Sequence, residues 1–236
     1  MCGKFTAMMS WGEYCALAGV AHGGGYAGPD AMEADTALGT FTPMSALPVL
    51  HLGPVGQRRV TPMRWGWHKR NIADPNRGFA HLHARSEEID RTPTWAGPFH
   101  DARGVVFARS FNIGEELPNG KIKQWICARP DGTPLAIAVL YSVRQHATFG
   151  ALRSCVMVTT AACPPLCDRD SRMPALLASP EEVRMWLGET DAAPDAIKSI
   201  LRTYEGPLVM REQEKPAPIR PAGRKPASEK THNTLL

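Results

Sequence analysis

The opening MCGKF places a cysteine directly behind the initiator methionine, and this is the residue whose type and position promise chemistry. Once Met1 is trimmed, as small second residues commonly permit, Cys2 carries a free α-amine beside its thiol. The amine titrates near ~8 and the thiol near ~8.5, so at neutral pH some of each is in its nucleophilic form. Such a 1,2-aminothiol condenses with an aldehyde, first as an imine through nitrogen and then as a five-membered thiazolidine when sulfur closes the ring. Taken alone, MC is as readily a second residue with no role, and other stretches must decide.

Most other chemistries are poorly served. Cysteines at 15, 127, 155, 163 and 167 lack the density of a disulfide framework, which fits a reducing compartment. Cys163 and Cys167 in CPPLC have no second Cys/His pair at a spacing that would complete a zinc site, so no metal is expected. The run AHGGGYAGPD lacks the GxxxxGK[ST] spacing that cradles phosphates and reads as a surface loop. The formal net charge of +4 permits a polyanionic partner without demanding one. No apolar run approaches the ~20 residues of a membrane span, and no basic region followed by an apolar stretch opens the chain. The protein reads as soluble and cytoplasmic, a monomer with no cofactor and no membrane partner.

The elements that must position Cys2 are legible in outline. At 236 residues the chain fits one generous domain with a tail. Ser10 stands three residues before Glu13, a capping box that starts a short helix over about Trp11–Leu17. SPEEVRMWLGE supplies Ser179 as N-cap, Pro180 at the first helical position, Glu182 and the stop Gly188. A further helix is expected over Pro194–Thr203. Between Phe41 and Arg64, Pro43, Pro48, Pro54 and Pro62 punctuate short apolar runs, as in edge strands. GVVFARSF, KQWICA, TPLAIAVLYS and SCVMVTT are strand candidates. Short links without regular strand-helix alternation predict a largely antiparallel, strongly curved sheet. The domain is placed at residues 1–210. From Arg211 to Leu236 the chain is polar and proline-rich and is expected to be a disordered basic tail.

Four scattered stretches, MCGKF, TPMRWGW, HARSEEID and SRMPALL, line up in order with the patterns MCGR, P..RWG, NARSE and HDRMP. Over roughly Met1 to Gly188 the chain therefore resembles the SOS-response-associated peptidase (SRAP) family. The resemblance implies a single α+β domain, built round a curved, largely antiparallel, barrel-like sheet with a few flanking helices, that binds single-stranded DNA and captures abasic sites through a thiazolidine link to Cys2. It further implies an acid in the GFYEW segment, here rewritten as FNIGEEL, with Glu116 the first choice for proton transfer and Glu115 the second. Lys4, Arg85 and Arg172 fall at family positions suited to phosphate contact, with Arg64 a weaker candidate because it can instead pair with a carboxylate. Of Trp65 and Trp67, Trp67 is the candidate platform for an unstacked base. Two family residues are replaced: the asparagine of NARSE by His83, a group able to shuttle protons, and the histidine of HDRMP by Asp170.

Two other functions remain open on the sequence. One is a cysteine peptidase acting on its own N-terminus or on peptides; the other is a non-catalytic DNA-binding module in which His83 and Asp170 mark lost chemistry.

Overall fold

The structure, a computed structural model, describes residues 3–21, 37–68, 74 and 81–214. Cys2, most of the glycine-rich run from His22 on, and residues 215–236 lie outside them. Among the described residues there are thirteen strands: β1 (Lys4–Ser10), β2 (Ala37–Phe41), β3 (Ala46–Leu52), β4 (Arg58–Trp65), β5 (His83–Arg85), β6 (Arg103–Ala108), β7 (Ser110–Glu116), β8 (Ile122–Ala128), β9 (Leu135–His146), β10 (Gly150–Ala161), β11 (Arg172–Pro174), β12 (Leu176–Leu177) and β13 (Val209–Glu212). The helices are α1 (Trp11–Ala18), α2 (Ala96–Asp101), α3 (Pro180–Leu187) and α4 (Pro194–Ser199).

The fold is α+β, and its centre is a closed barrel. Strands β3, β4, β10, β9 and β6 pair in a ring, antiparallel throughout except between β4 and β10. Alternation along the strands sorts their side chains into two cores. Leu47, Val49, Met63, Trp65, Val106, Ile137, Val139, Cys155 and Met157 fill one cluster, the barrel interior. Leu50, Val60, Val105, Ala138, Leu140 and Val156 join the other, on the outer wall, which the helices cover with Trp11, Tyr14, Phe99, Trp186 and Ile197.

Two helices start and stop where their caps predict. Ser10 accepts from Glu13 N at 3.1 Å, and Ser179 from Glu182 N at 3.3 Å. Gly19 and Gly188 end α1 and α3 in the left-handed conformation, at φ 65° and 89°, which favours glycine. The box at α1 is only half made, because the Glu13 carboxylate goes to Arg109 instead. The last helix stops at Ser199, four residues short of the expected Thr203.

The proline-rich segment forms barrel staves, not edge strands. Pro48 of β3 stands directly opposite Pro62 of β4. At this level neither strand needs an amide for its outer neighbour: β6 joins β3 at Leu50 and His51, and β10 joins β4 at Arg64 and Trp65. The missing N–H groups therefore cost the sheet no ladder bond.

GVVFARSF, which reads as one strand, is two, because the chain changes sheets at Arg109. From there β7 enters a second, antiparallel sheet in the order β13-β8-β7-β1-β2. Phe5, Phe111, Ile113 and Cys127 of this sheet complete the cluster that fills the barrel interior. Its edge strand β13 pairs Arg211 with Ile126 and Glu212 with Trp125. The expected tail boundary at Arg211 thus falls inside a strand.

One short segment completes the barrel seam. β9 and β10 pair as far as Met157–Val139 and then part. Into the gap comes Arg172–Leu177: β11 pairs with β10, β12 with β9, and Ala175 bridges them, donating to Val158 O and accepting from Ala138 N. SRMPALL is therefore a structural wedge as well as a motif.

Candidate functional site at the barrel mouth

β1 begins two residues after Cys2, and its position is fixed from both ends of the chain. Lys4 stands opposite Asn112 of β7. Lys4 Nζ donates to Gln213 Oε1 at 2.5 Å, and the buried Asn112 donates to the same oxygen at 3.0 Å. Gly3, Lys4, Thr42, Gly114, Ile122 and Gln124 line a cavity of about 460 Å³. The chain enters the sheet beside open space, with the Lys4 ammonium held by an amide.

The two candidate acids face opposite ways, as neighbours on a strand must. Glu116 is exposed at the end of β7. Glu115 shares the inward face of Ile113 and is half-buried: Trp125 Nε1 donates to its Oε2 at 2.8 Å, and Arg169 Nε lies 3.4 Å from the same oxygen. Arg169 and Lys123 also approach the Trp125 ring, at 5.1 and 4.5 Å from its centroid. Glu115, the second choice on the sequence, is the carboxylate that neighbouring side chains hold in place.

HARSE and SRMP meet through β10. β5 runs parallel to it, with His83 opposite Met157 and Arg85 opposite Thr159. The His83 ring meets the edge of Trp65 at 6.2 Å, and Trp65 lies 5.2 Å from Phe5 of β1. Arg85 is exposed at the end of β5. Arg172 is engaged: its guanidinium forms a fork with Glu87, at 2.5 and 2.9 Å, and donates to Thr159 O at 2.6 Å. The Glu87 carboxyl is held below its usual pKa chiefly by this hydrogen bond, with a smaller contribution from the Arg85 charge. Arg172 therefore ties HARSE to SRMP in this structure, whereas the sequence suggests a phosphate contact.

Asp170 lies between these groups. It accepts from Arg172 N at 3.1 Å, and its own N donates to Leu166 O at 3.0 Å. The four residues Arg169–Arg172 thus touch Glu115 at one end and Glu87 at the other.

Two expected site residues lie elsewhere. Trp67 is buried and meets Trp95 edge-on at 5.1 Å. It offers no face for a base. Gly66 between the tryptophans has φ 142°, and this turn sends Trp65 into the barrel and Trp67 into the outer cluster. Arg64 projects from the outer wall and lies 2.6 Å from His68 Nε2. Trp125, Arg169 and Asn112 escape the sequence reading. The signal for the first was PNGK, a hairpin turn with Gly120 at φ 73°, which sets Trp125 opposite Ile113.

The fold is shared by proteins of known structure. A crystal structure from Bacteroides thetaiotaomicron matches with a TM-score of 0.70 at 15% identity, covering 90% of this chain and 92% of that one. One from Bordetella bronchiseptica gives 0.69 at 20% identity, over 91% and 100%. These likenesses concern the fold. The model of the family described as SOS response associated peptidase (SRAP) matches residues 1–215, and the chain belongs to that family. Among curated relatives, the abasic site processing protein YoqW of Bacillus subtilis is 28% identical over 148 residues, covering 62% of this chain and 65% of that protein. YobE of the same organism is 27% identical, over 62% and 67%.

Proposed function

We propose that the chain binds single-stranded DNA and captures abasic sites covalently through Cys2 after removal of Met1. The observation that carries this reading is the segment Arg169–Arg172, which touches Glu115 on β7 and Glu87 of the HARSE motif and so gathers separate motif residues near the strand that Cys2 precedes. The similarity to relatives named for abasic site processing supports the same substrate.

The steps need no cofactor. The open-chain sugar of an abasic site presents an aldehyde. The Cys2 amine adds to its carbon and forms a carbinolamine, and loss of water gives the imine. The thiolate then adds to the imine carbon while nitrogen takes up a proton, and the thiazolidine is complete. Glu115 is proposed to take the nitrogen proton of the carbinolamine and pass it to the departing hydroxyl, which leaves as water, with His83 orienting or protonating the sugar oxygen and exposed Arg85 meeting a phosphate. Trp125 and Arg169 hold the Glu115 carboxylate in position.

The test is incubation of the matured protein with an abasic single-stranded oligonucleotide, followed by a denaturing gel and mass spectrometry of the linked peptide. A denaturant-resistant adduct on Cys2 is expected. An adduct mapped to a lysine, or peptide cleavage with no adduct, would sink the reading.

A further inference from the structure

Between β10 and β11 the chain makes a tight turn that carries two free thiols. Cys163 is buried in the cluster that fills the barrel interior, and Cys167 is exposed. Leu166 N and Cys167 N both donate to Cys163 O, at 2.7 and 3.1 Å. The two cysteines therefore stand one helical turn apart, the spacing that makes side chains neighbours. Burial raises the Cys163 pKa, and the charge of Cys167 raises it further, so the two sulfurs lie within electrostatic reach. The exposed member of the pair meets a dissolved oxidant first.

The same turn sets the residues that reach the barrel mouth. Leu166, fully buried, opens a 3₁₀ turn over Leu166–Asp168. Its carbonyl accepts from Arg169 N at 2.9 Å and from Asp170 N at 3.0 Å. Arg169 then faces Glu115, and Asp170 accepts from Arg172 N. Side chains one turn apart have Cβ atoms about 5–6 Å from each other, whereas a disulfide brings them to about 3.5–4.5 Å. Joining the two sulfurs therefore draws the turn in, and the segment held by Leu166 O moves with it.

We propose that Cys163 and Cys167 are a peroxide-sensitive dithiol whose oxidation to a disulfide displaces Arg169 from Glu115. The Cys167 thiolate attacks one oxygen of hydrogen peroxide and the O–O bond breaks. Hydroxide leaves and takes up a proton as water, and Cys167 becomes a sulfenic acid. The Cys163 sulfur attacks the Cys167 sulfur as its S–O bond breaks, and the Cys163 proton departs with the hydroxyl as a second water. The pair loses two electrons, and the peroxide gains them. A reduced dithiol such as dithiothreitol restores both thiols by exchange. The effect on capture rests on the abasic-site reading above; the dithiol chemistry and the movement of Arg169 do not.

The test starts from the full chain carrying Cys2→Ser, which removes the other thiol that peroxide would attack. After hydrogen peroxide, thiols are alkylated with one reagent before reduction and a second after it, and mass spectrometry locates the protected pair. NMR follows the Trp125 indole N–H, which donates to Glu115 and whose ring lies 5.1 Å from the Arg169 guanidinium. A Cys163–Cys167 disulfide and a shifted indole resonance are expected, both reversed by dithiothreitol and both absent once Cys167→Ser, at an exposed position, is added. No protected pair, or a bond to another cysteine, overturns the dithiol. A disulfide with the indole resonance unmoved overturns its hold on the mouth. With Cys2 restored, the peroxide-treated chain should form abasic-site adduct up to about 10²-fold more slowly than Cys167→Ser treated alike, the cost of a small misplacement of a positioned group. Damage to Cys2 itself is common to both chains, and equal rates overturn the control of capture. Failure of the untreated wild-type chain to form an adduct, with the disulfide and indole responses intact, counts against the capture chemistry alone.

Discussion

The mouth and the outer wall of the barrel handle their arginines differently. At the mouth, Arg169 faces Glu115 and Arg172 forks with Glu87, so cation and carboxylate hold one another and the motif segments with them. On the wall, Arg64 gives a hydrogen to the ring of His68, and Arg144 gives one to a serine hydroxyl while another of its buried donors goes unmatched. Arg169 Nε and Arg172 Nε at the mouth are likewise buried without a hydrogen-bond partner, so the contrast lies in what the side chains meet: carboxylates for these two, a hydroxyl for Arg144. Arg172 carries the family motif and is engaged by a carboxylate, whereas the described contacts of Arg144 are a serine hydroxyl and an aromatic ring.

The sharpest separation of the two regions is at Cys2. Cys2→Ser should abolish nearly all stable adduct on a denaturing gel while leaving reversible DNA affinity intact, because serine keeps the amine but supplies a poorer ring-closing nucleophile. Equal adduct in the variant would remove the thiol from the mechanism.

The next largest effect distinguishes the two acids of β7. Glu115→Gln should slow adduct formation by roughly 10²–10⁴-fold, the usual contribution of a positioned proton-transfer group, and Glu116→Gln should leave the rate near that of wild type. Single-turnover kinetics with an abasic oligonucleotide compare them. A slow Glu116 variant beside a normal Glu115 variant would restore the preference drawn from the sequence.

Trp67 tests whether the wall beside the arginines is core or contact surface. Trp67→Ala should cost about 3–5 kcal/mol of stability in a denaturant titration, as truncation of a buried tryptophan does. Loss of DNA affinity with unchanged stability would make the ring a base platform after all.

The smallest effect is the pH dependence of the Glu87–Arg172 fork. The folded-state pKa of Glu87 is depressed, so its contribution is present above the unfolded value and is lost as pH falls through the folded one. Glu87 is half-exposed, which limits the pair to about 1 kcal/mol or less, or about 2–4 °C in melting temperature for a chain of this size. Glu87→Gln should melt lower than wild type near neutral pH, with the gap closing in acid below the ordinary carboxylate range. A gap that persists unchanged at low pH would show that shape, not charge, joins the two motifs.

Local chemistry made α1 and α3 legible, because a cap states where a helix starts and a glycine where it stops. It failed where the answer lay in pairing. The period of two along β7 says that Glu115 and Glu116 face opposite ways; only the partner strand, with Trp125 opposite Ile113, says which way is inward. Likewise no spacing brings Glu87 to Arg172, since their meeting depends on β5 and β11 both joining β10. The prolines misled for the same reason: Pro48 and Pro62 are excluded from a central strand only where a neighbour needs their amides, and neighbours are set by the whole barrel. Trp67 was lost to a single glycine, whose turn ends the alternation that the two tryptophans suggest.

The brace on Lys4 has a consequence for the order of events in a cell. Gln213 is synthesised 209 residues after Lys4, and at 5–20 residues per second that interval is roughly 10–40 s. Throughout it the first strand lacks its final support. Under the proposed chemistry, trimming of Met1 therefore falls in a period when the ribosome has yet to deliver the amide that holds Lys4, two residues behind the newly uncovered amine and thiol.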